Sequence, residues 1–449
     1  MKEKLQHKLQ NRHIQMIALG GIIGTGFFVG SAGSIKYTGA SLVLAYMLGG
    51  LIMYCIMRIL GEMTVYAPNS GSFVDYAYHF LGKPWGFITG WNSWVLFTLS
   101  CMLEATATAY LLDYWFIIPH WVSCLIILLI FTGINLLNVK YFAELEFWFA
   151  GIKIVFITMI ILAGLYLMFF HAGVHKIMLN NLAIYQSPKQ LFTNGPIGFI
   201  QALAMACLSL CGAEFVSVAA GEADNPKQSI PLAINGVVTK IVFFYTVTTA
   251  IILLIYPYSY INYKVSPFIE VFIKLGFNYS AVMINIITIV ATLSALNSVL
   301  YVSSRFLYKL ALNNQAPIFL SVTNAQQIPA NAILFTAICA LISVFANYFC
   351  KEHLLDYLFA IILIAILLNW FIIISTHFFF RKYIKKTKTV LEYTSFGFPI
   401  LNLCLLLILT IILVVVIINM PIKYGCIVPI VWLLFLYLYY LTYNLISNK

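Results

Sequence analysis

A chain of 449 residues that is 62% hydrophobic and only 9% charged does not fit a soluble protein, since globular domains run at about 45–50% apolar and about 25% charged. The formal net charge of +11 therefore speaks for basic loops beside a bilayer and not for nucleic acid as a partner. The nine cysteines lie mostly in apolar runs without a C-x-x-C pair, which argues against a disulfide framework or a metal site.

Mean hydropathy of +0.96 and repeated long apolar runs predict an all-α polytopic membrane protein. Twelve spans are expected, at about 14–38, 41–65, 86–112, 121–138, 145–170, 197–221, 233–256, 280–307, 331–349, 355–380, 397–418 and 424–446. This alternation gathers most basic residues on one side, among them Lys2, Lys4, Arg12, Arg58, Lys83, Arg381, Lys385 and Lys388. The positive-inside rule makes that side cytoplasmic, with both termini on the inner side of the cell inner (cytoplasmic) membrane. The first apolar run is too long for a signal h-region and is expected to be retained. Loops are expected to be short, so the whole chain, 1–449, reads as one transmembrane domain.

The first span holds Gly20-Gly21-Ile22-Ile23-Gly24-Thr25-Gly26. Each glycine costs a helix about 1 kcal/mol relative to Ala. Two readings follow: a small-xxx-small face for helix packing, or an unwound break. Unwound backbone is tolerated in hydrocarbon only where it is buried or lines a cavity. There its amides attract a carboxylate and its free carbonyls a cation. The sixth span carries a second run of small and polar residues, Cys207-Leu208-Ser209-Leu210-Cys211-Gly212-Ala213-Glu214. With five spans between them, the two cross in opposite directions. Interrupted spans at matching places in two halves, about 14–170 and 197–380, are the sequence mark of a transporter with its site between inverted repeats.

Ionisable groups inside spans cost roughly 2.5–3.5 kcal/mol each and call for a reason. Lys153, in the fifth span, reads either as a lysine snorkelling to the inner headgroups or as a desolvated amine that gives up its proton during transport. Glu104, deep in the third span, serves either structure or the lining of a site. Glu214 follows the sixth-span break and reads as a carboxyl tied to freed backbone groups. Glu222 and Asp224 are expected to tie the inner end of that span to a neighbouring loop. Thr292, Ser294, Asn297 and Ser298 on the eighth span are expected to face the bundle interior.

The opening LQNRHIQMIALGGIIGTGFFVGS resembles the first helix of permeases of the amino acid–polyamine–organocation superfamily. The likeness continues through RILGEMTVYAPNSGSFVDYA, GFITGWNSWV, NVKYFAELEFWFAGIKIV, AAGEADNPKQSIP and SSRFLYKLALNNQAP. It is nearest the bacterial branch that carries aromatic amino acids, proline, lysine, γ-aminobutyrate or D-alanine, D-serine and glycine. The resemblance implies a five-plus-five inverted-repeat fold with two further C-terminal helices, about 397–446. It also implies proton-coupled uptake of an amino acid. By position, amides around Gly24, Thr25 and Gly26 would hold the substrate carboxylate. The Ile22 carbonyl, with carbonyls near Leu208 and Cys211, would hold its ammonium. Cys101 and Glu104 would lie beside them, Lys153 would carry the coupling proton, and Glu214, Ser294 and Asn297 would support the site. Relatives commonly have an aromatic where this chain has Leu208.

The expected function is import of a neutral amino acid driven by the proton gradient, without a cofactor. An exchanger, or a permease for a cationic amino acid, is the alternative. The partners are the substrate, a proton and the bilayer. The histidines are scattered over loops and span ends with no H-E-x-x-H, so an enzyme is not expected. Nothing in the pattern selects one amino acid or an oligomeric state.

Overall fold

The computed structural model describes residues 11–68, 73–137, 139–219, 226–256, 280–349, 354–419 and 427–447. Among these residues the chain is helical, with no strand. Away from water a backbone must satisfy its own polar groups, and a helix does so within each segment. Eight helical stretches among the described residues are long and apolar enough to cross a bilayer. They are Gly39–Tyr66, Lys83–Leu112, Tyr141–Phe170, Lys227–Ile255, Ala281–Leu312, Ala330–Phe349, Leu354–Thr387 and Ile400–Ile418. Four shorter apolar helices, Gln15–Phe28, His120–Asn135, Gly195–Ser209 and Ile430–Tyr443, fall in the other four expected spans. The chain is therefore an all-α, multi-pass membrane protein.

In chain order the first span is α1 (Asn11–Ile22), α2 (Thr25–Phe28) and α3 (Gly30–Thr38). Then come α4 (Leu42–Tyr66), α5 (Phe73–Phe80), α6 (Lys83–Leu112), α7 (His120–Asn135), α8 (Val139–Phe170), α9 (Ala172–Tyr185) and α10 (Pro188–Leu191). The sixth span is α11 (Gly195–Ser209) and α12 (Phe215–Ala219), followed by α13 (Pro226–Ile255) and α14 (Ser280–Leu312). The ninth splits into α15 (Ala330–Ala340) and α16 (Ile342–Phe349), and α17 (Leu354–Thr387), α18 (Ile400–Ile418) and α19 (Ile427–Ser447) complete the bundle. The broken α1 packs on α8, α14 and α13, while α14 also lies along α6. Helix-to-helix hydrogen bonds knit the interior: Asn92 to Asn369 at 2.9 Å, Asn347 to Thr106 at 2.9 Å and Thr98 to Ser303 at 3.0 Å.

Two expectations need correction. The segment after the fifth span is not a short loop but the helices α9 and α10. It folds because Val174, Met178 and Asn181 are buried against the bundle. Asn181 and Tyr185 also donate to the carbonyls of Leu254 (2.9 Å) and Leu253 (3.0 Å), capping the end of α13. The connection between the second and third spans likewise contains α5, whose Asp75 is held by Lys309 at 2.9 Å and Asn313 at 3.0 Å. Glu222 and Asp224 lie outside the described residues.

On the face that carries the basic segments, α17 outruns the bilayer. Its 34 residues span about 51 Å at 1.5 Å per residue, against a hydrocarbon core of about 30 Å. Near its end, Arg381 grips the buried carboxylate of Glu62 on α4, at 2.6 Å from Nε and 2.8 Å from Nη2. The same carboxylate accepts the Ser395 amide at 2.6 Å. Arg58 donates to the Thr394 carbonyl at 2.5 Å and lies 4.1 Å above the Tyr393 ring. Lys227 at the start of α13 pairs with Glu392 at 2.9 Å. The loop after α17 is thereby tied to α4, α13 and α17 at once.

Candidate functional site between two interrupted helices

The glycine-rich stretch of the first span unwinds at Ile23 and Gly24. The Ile23 amide still reaches the Leu19 carbonyl at 3.1 Å, and the ladder resumes with Phe28 to Gly24 at 3.4 Å and Val29 to Thr25 at 2.9 Å. Between them the helix loses its regular donors, and side chains take over the exposed carbonyls. Lys153 donates to the carbonyls of Gly20 (2.6 Å) and Ile23 (2.8 Å), and the Tyr245 hydroxyl to that of Ile22 (3.1 Å).

The sixth span breaks beside it. Leu210 ends α11, and Gly212 turns the chain with φ of +108°, a conformation that side chains oppose. The Gly212 amide donates to the Glu214 carboxylate at 3.0 Å, and the Trp370 indole donates to the same carboxylate. Glu214 thus fixes the turn, its carboxyl oxygens engaged by local donors. The two breaks are joined directly by Ser209, whose hydroxyl donates to the Gly26 carbonyl at 2.9 Å. They touch so closely that a Cβ on Gly26 would stand 2.9 Å from the Ser209 Cα. The glycines of the first span are needed for a break and a close approach at once.

A cavity opens between the breaks. Its lining includes Ile22, Gly24, Gly26, Glu104, Leu208 and Cys211, with Phe97, Leu103, Phe215, Val299, Phe359 and Ile362 making an apolar side. It is small, ≈ 40 Å³, room for a few waters at about 10–15 Å³ each. Glu104 reaches into it from α6 and accepts the Thr25 amide at 3.2 and 3.4 Å, together with the Thr25 hydroxyl. A carboxylate of the protein itself therefore occupies the donors that the sequence assigned to a substrate carboxylate. The Ile22 carbonyl assigned to the substrate ammonium is engaged by Tyr245.

Lys153 is fully buried, and its ammonium points at the first-span break, not towards headgroups. Two turns earlier on α8, Glu146 is also fully buried. Its carboxylate accepts from Ser294 at 2.5 Å and from Asn297 at 3.3 Å, and it lies so close to Gly20 that a Cβ there would meet its carboxylate oxygen. Ser294 and Asn297 thus face Glu146 and do not line the cavity. Cys101 lies one turn from Glu104 on α6, fully buried and outside the lining. Glu146 and Tyr245 were not singled out in the sequence. For Glu146 a signal existed, since a seven-residue spacing puts it on the Lys153 face of one helix.

The arrangement defines a class: a polytopic helical membrane protein with a small polar site enclosed by two broken helices, a buried lysine on one of the breaks and an apolar wall. The chain belongs to the amino acid permease family, whose model matches residues 13–447. It is 37% identical over 440 residues to the aromatic amino acid transport protein AroP of Escherichia coli K12, covering 98% of this chain and 96% of that one. The AroP of Salmonella typhimurium LT2 matches at the same identity and coverage. An uncharacterized transporter of Bacillus subtilis 168, YdgF, is 36% identical over 442 residues, again covering 98% and 96%. Amino acid transport is thus the function of the family, and the family is not one of enzymes.

Proposed function

We propose that the protein imports a neutral, apolar α-amino acid across the cytoplasmic membrane together with a proton. The observation that carries this reading is the Lys153 ammonium, enclosed without solvent on the Gly20 and Ile23 carbonyls. A charge in such surroundings needs its partners in place, and movement of the first-span break removes them. Loss of those carbonyls on opening to the cytoplasm favours release of the proton inward. The apolar wall of Phe97, Phe215, Phe359 and Ile362 suits an uncharged side chain, and aromatic side chains fall within that class. Glu104 is committed to Thr25 and offers no free counter-charge for a cationic one. In this reading the two broken spans belong to inverted halves, and both termini are cytoplasmic.

The test is uptake by the purified protein in proteoliposomes. A pH gradient, acidic outside, should drive accumulation of labelled neutral amino acids, and collapsing it should stop accumulation. Uptake indifferent to the gradient, or lysine and arginine outcompeting all neutral amino acids, would overturn the proposal.

A further inference from the structure

From Glu146 a polar seam leads away from the substrate cavity. Its carboxylate is held by Ser294 and Asn297 of α14. Asn297 in turn accepts the side-chain amide of Asn135 at 3.0 Å. Asn135 is the last residue of α7, at the end of the bundle that carries the basic segments. Its side-chain oxygen is buried and has no hydrogen-bond partner among the described residues. Beyond it, the Leu136 carbonyl accepts from Asn324 at 3.4 Å, in the connection between α14 and α15. At the other end, Glu146 and Lys153 flank the same residue, Gly20: the lysine bonds its carbonyl, and the carboxylate packs on its Cα.

An intramembrane carboxylate this costly, held by Ser294 and Asn297 outside the cavity lining, calls for a use. We propose that Glu146 is the second proton carrier of the transport cycle, receiving the coupling proton from Lys153 and releasing it to the cytoplasm along the Asn297–Asn135 seam. The proposal rests on the proton-coupled reading above. In the transfer the N–H bond at Lys153 Nζ breaks and an O–H bond forms on the Glu146 carboxylate. That leaves a neutral amine and a carboxylic acid, and the acid then gives its proton to water at the inner end of α7. Substrate and proton would leave the site by different routes, the substrate between the broken helices and the proton between α7, α8 and α14. Because Gly20 separates the two groups, displacement of α1 alters their approach, so proton transfer is timed by the same motion that opens the cavity.

The experiment uses proteoliposomes with a pH-sensitive dye inside and a mixture of labelled neutral amino acids outside. The wild type should acidify the lumen as substrate enters. Glu146→Gln should slow acidification at least tenfold while substrate-for-substrate exchange stays measurable, and Glu146→Asp should restore part of it. Asn135→Leu, which interrupts the seam without touching either charge, should slow acidification with exchange retained. It decides the matter if Glu146→Gln fails to insert or loses exchange as well. Wild-type acidification in Glu146→Gln, or in Asn135→Leu if that variant decides, overturns the role of Glu146. A wild type that takes up amino acid without acidifying the lumen overturns the proton-coupled reading instead.

Discussion

Glu104 and Thr25 are bound to each other across the broken first span, the carboxylate taking both the amide and the hydroxyl of the threonine. Two carboxylates cannot share those donors, so an amino acid that binds there must displace Glu104 or meet it protonated. Hydrogen bonds to an ionised acceptor are roughly twice as strong as neutral ones. Glu104→Gln keeps the shape but weakens the hold on Thr25. Apparent affinity for neutral amino acids should rise about threefold to tenfold, a gain on the order of 1 kcal/mol. Equilibrium binding to purified protein measures it. Loss of binding in this variant would show that Glu104 is itself a substrate ligand.

Gly24 and Gly26 leave no space for side chains. A Cβ on Gly24 would stand 2.7 Å from a Glu104 carboxylate oxygen and 2.9 Å from the Ala295 Cβ. On Gly26 it would meet Ser209 backbone, which cannot rotate away. Gly24→Val and Gly26→Val should each reduce uptake by more than tenfold while the protein still inserts and purifies. Transport near the wild-type rate in both would assign the stretch to helix packing alone.

Lys153→Gln removes the ammonium but keeps a donor for the Gly20 or Ile23 carbonyl. Accumulation driven by a pH gradient should disappear, with some binding or exchange retained. The comparison is uptake against an imposed gradient, with binding assayed on the same preparation. Accumulation that survives would move the coupling proton to another group, Glu104 first.

Leu208 stands in the cavity wall. Leu208→Ala should open room for larger substrates, and Leu208→Phe should close it. Removing a few methylenes from an apolar pocket shifts discrimination by about tenfold or more. Competition of tryptophan against alanine for uptake should therefore move in opposite directions in the two variants. Unchanged ratios in both would place side-chain selection on the Phe97, Phe215 and Phe359 wall.

Much of this architecture is legible in the sequence because a bilayer allows few solutions. Long apolar runs become helices, and clustered glycines next to Thr25 mark where one breaks. The polar residues of the eighth span also face inward, as their cost in lipid requires. What escapes is pairing across the bundle. Nothing local says that Glu104 meets Thr25 79 positions away, or that Ser294 and Asn297 turn to Glu146 and not to the cavity. Glu146 sits beside the start of its span, where a carboxylate passes for an interfacial one. The helix instead begins at Val139 and carries it inside. Helix α9 escapes for a related reason, since its burial depends on α8 and α13.

The clasp of Glu62 by Arg381 yields the last expectation. Breaking a buried ion pair by removing one partner costs roughly 3–5 kcal/mol. Arg381 is partly exposed, with 22% of its side chain accessible, so the lower end applies. Glu62→Gln should lower the melting temperature of the detergent-solubilised protein by several degrees, with Arg381→Ala doing the same. A melting temperature unchanged in both would reduce the clasp to an incidental contact.

In mechanical terms, that clasp makes a lever of the inner ends of α4 and α17. A loop bolted to Arg58, Glu62, Lys227 and Arg381 transmits torque without bending. Helices α4, α13 and α17 must then tilt as one piece. The stiff part of the molecule is the part that turns together, and the glycine-rich break of the first span is where the hinge has to yield.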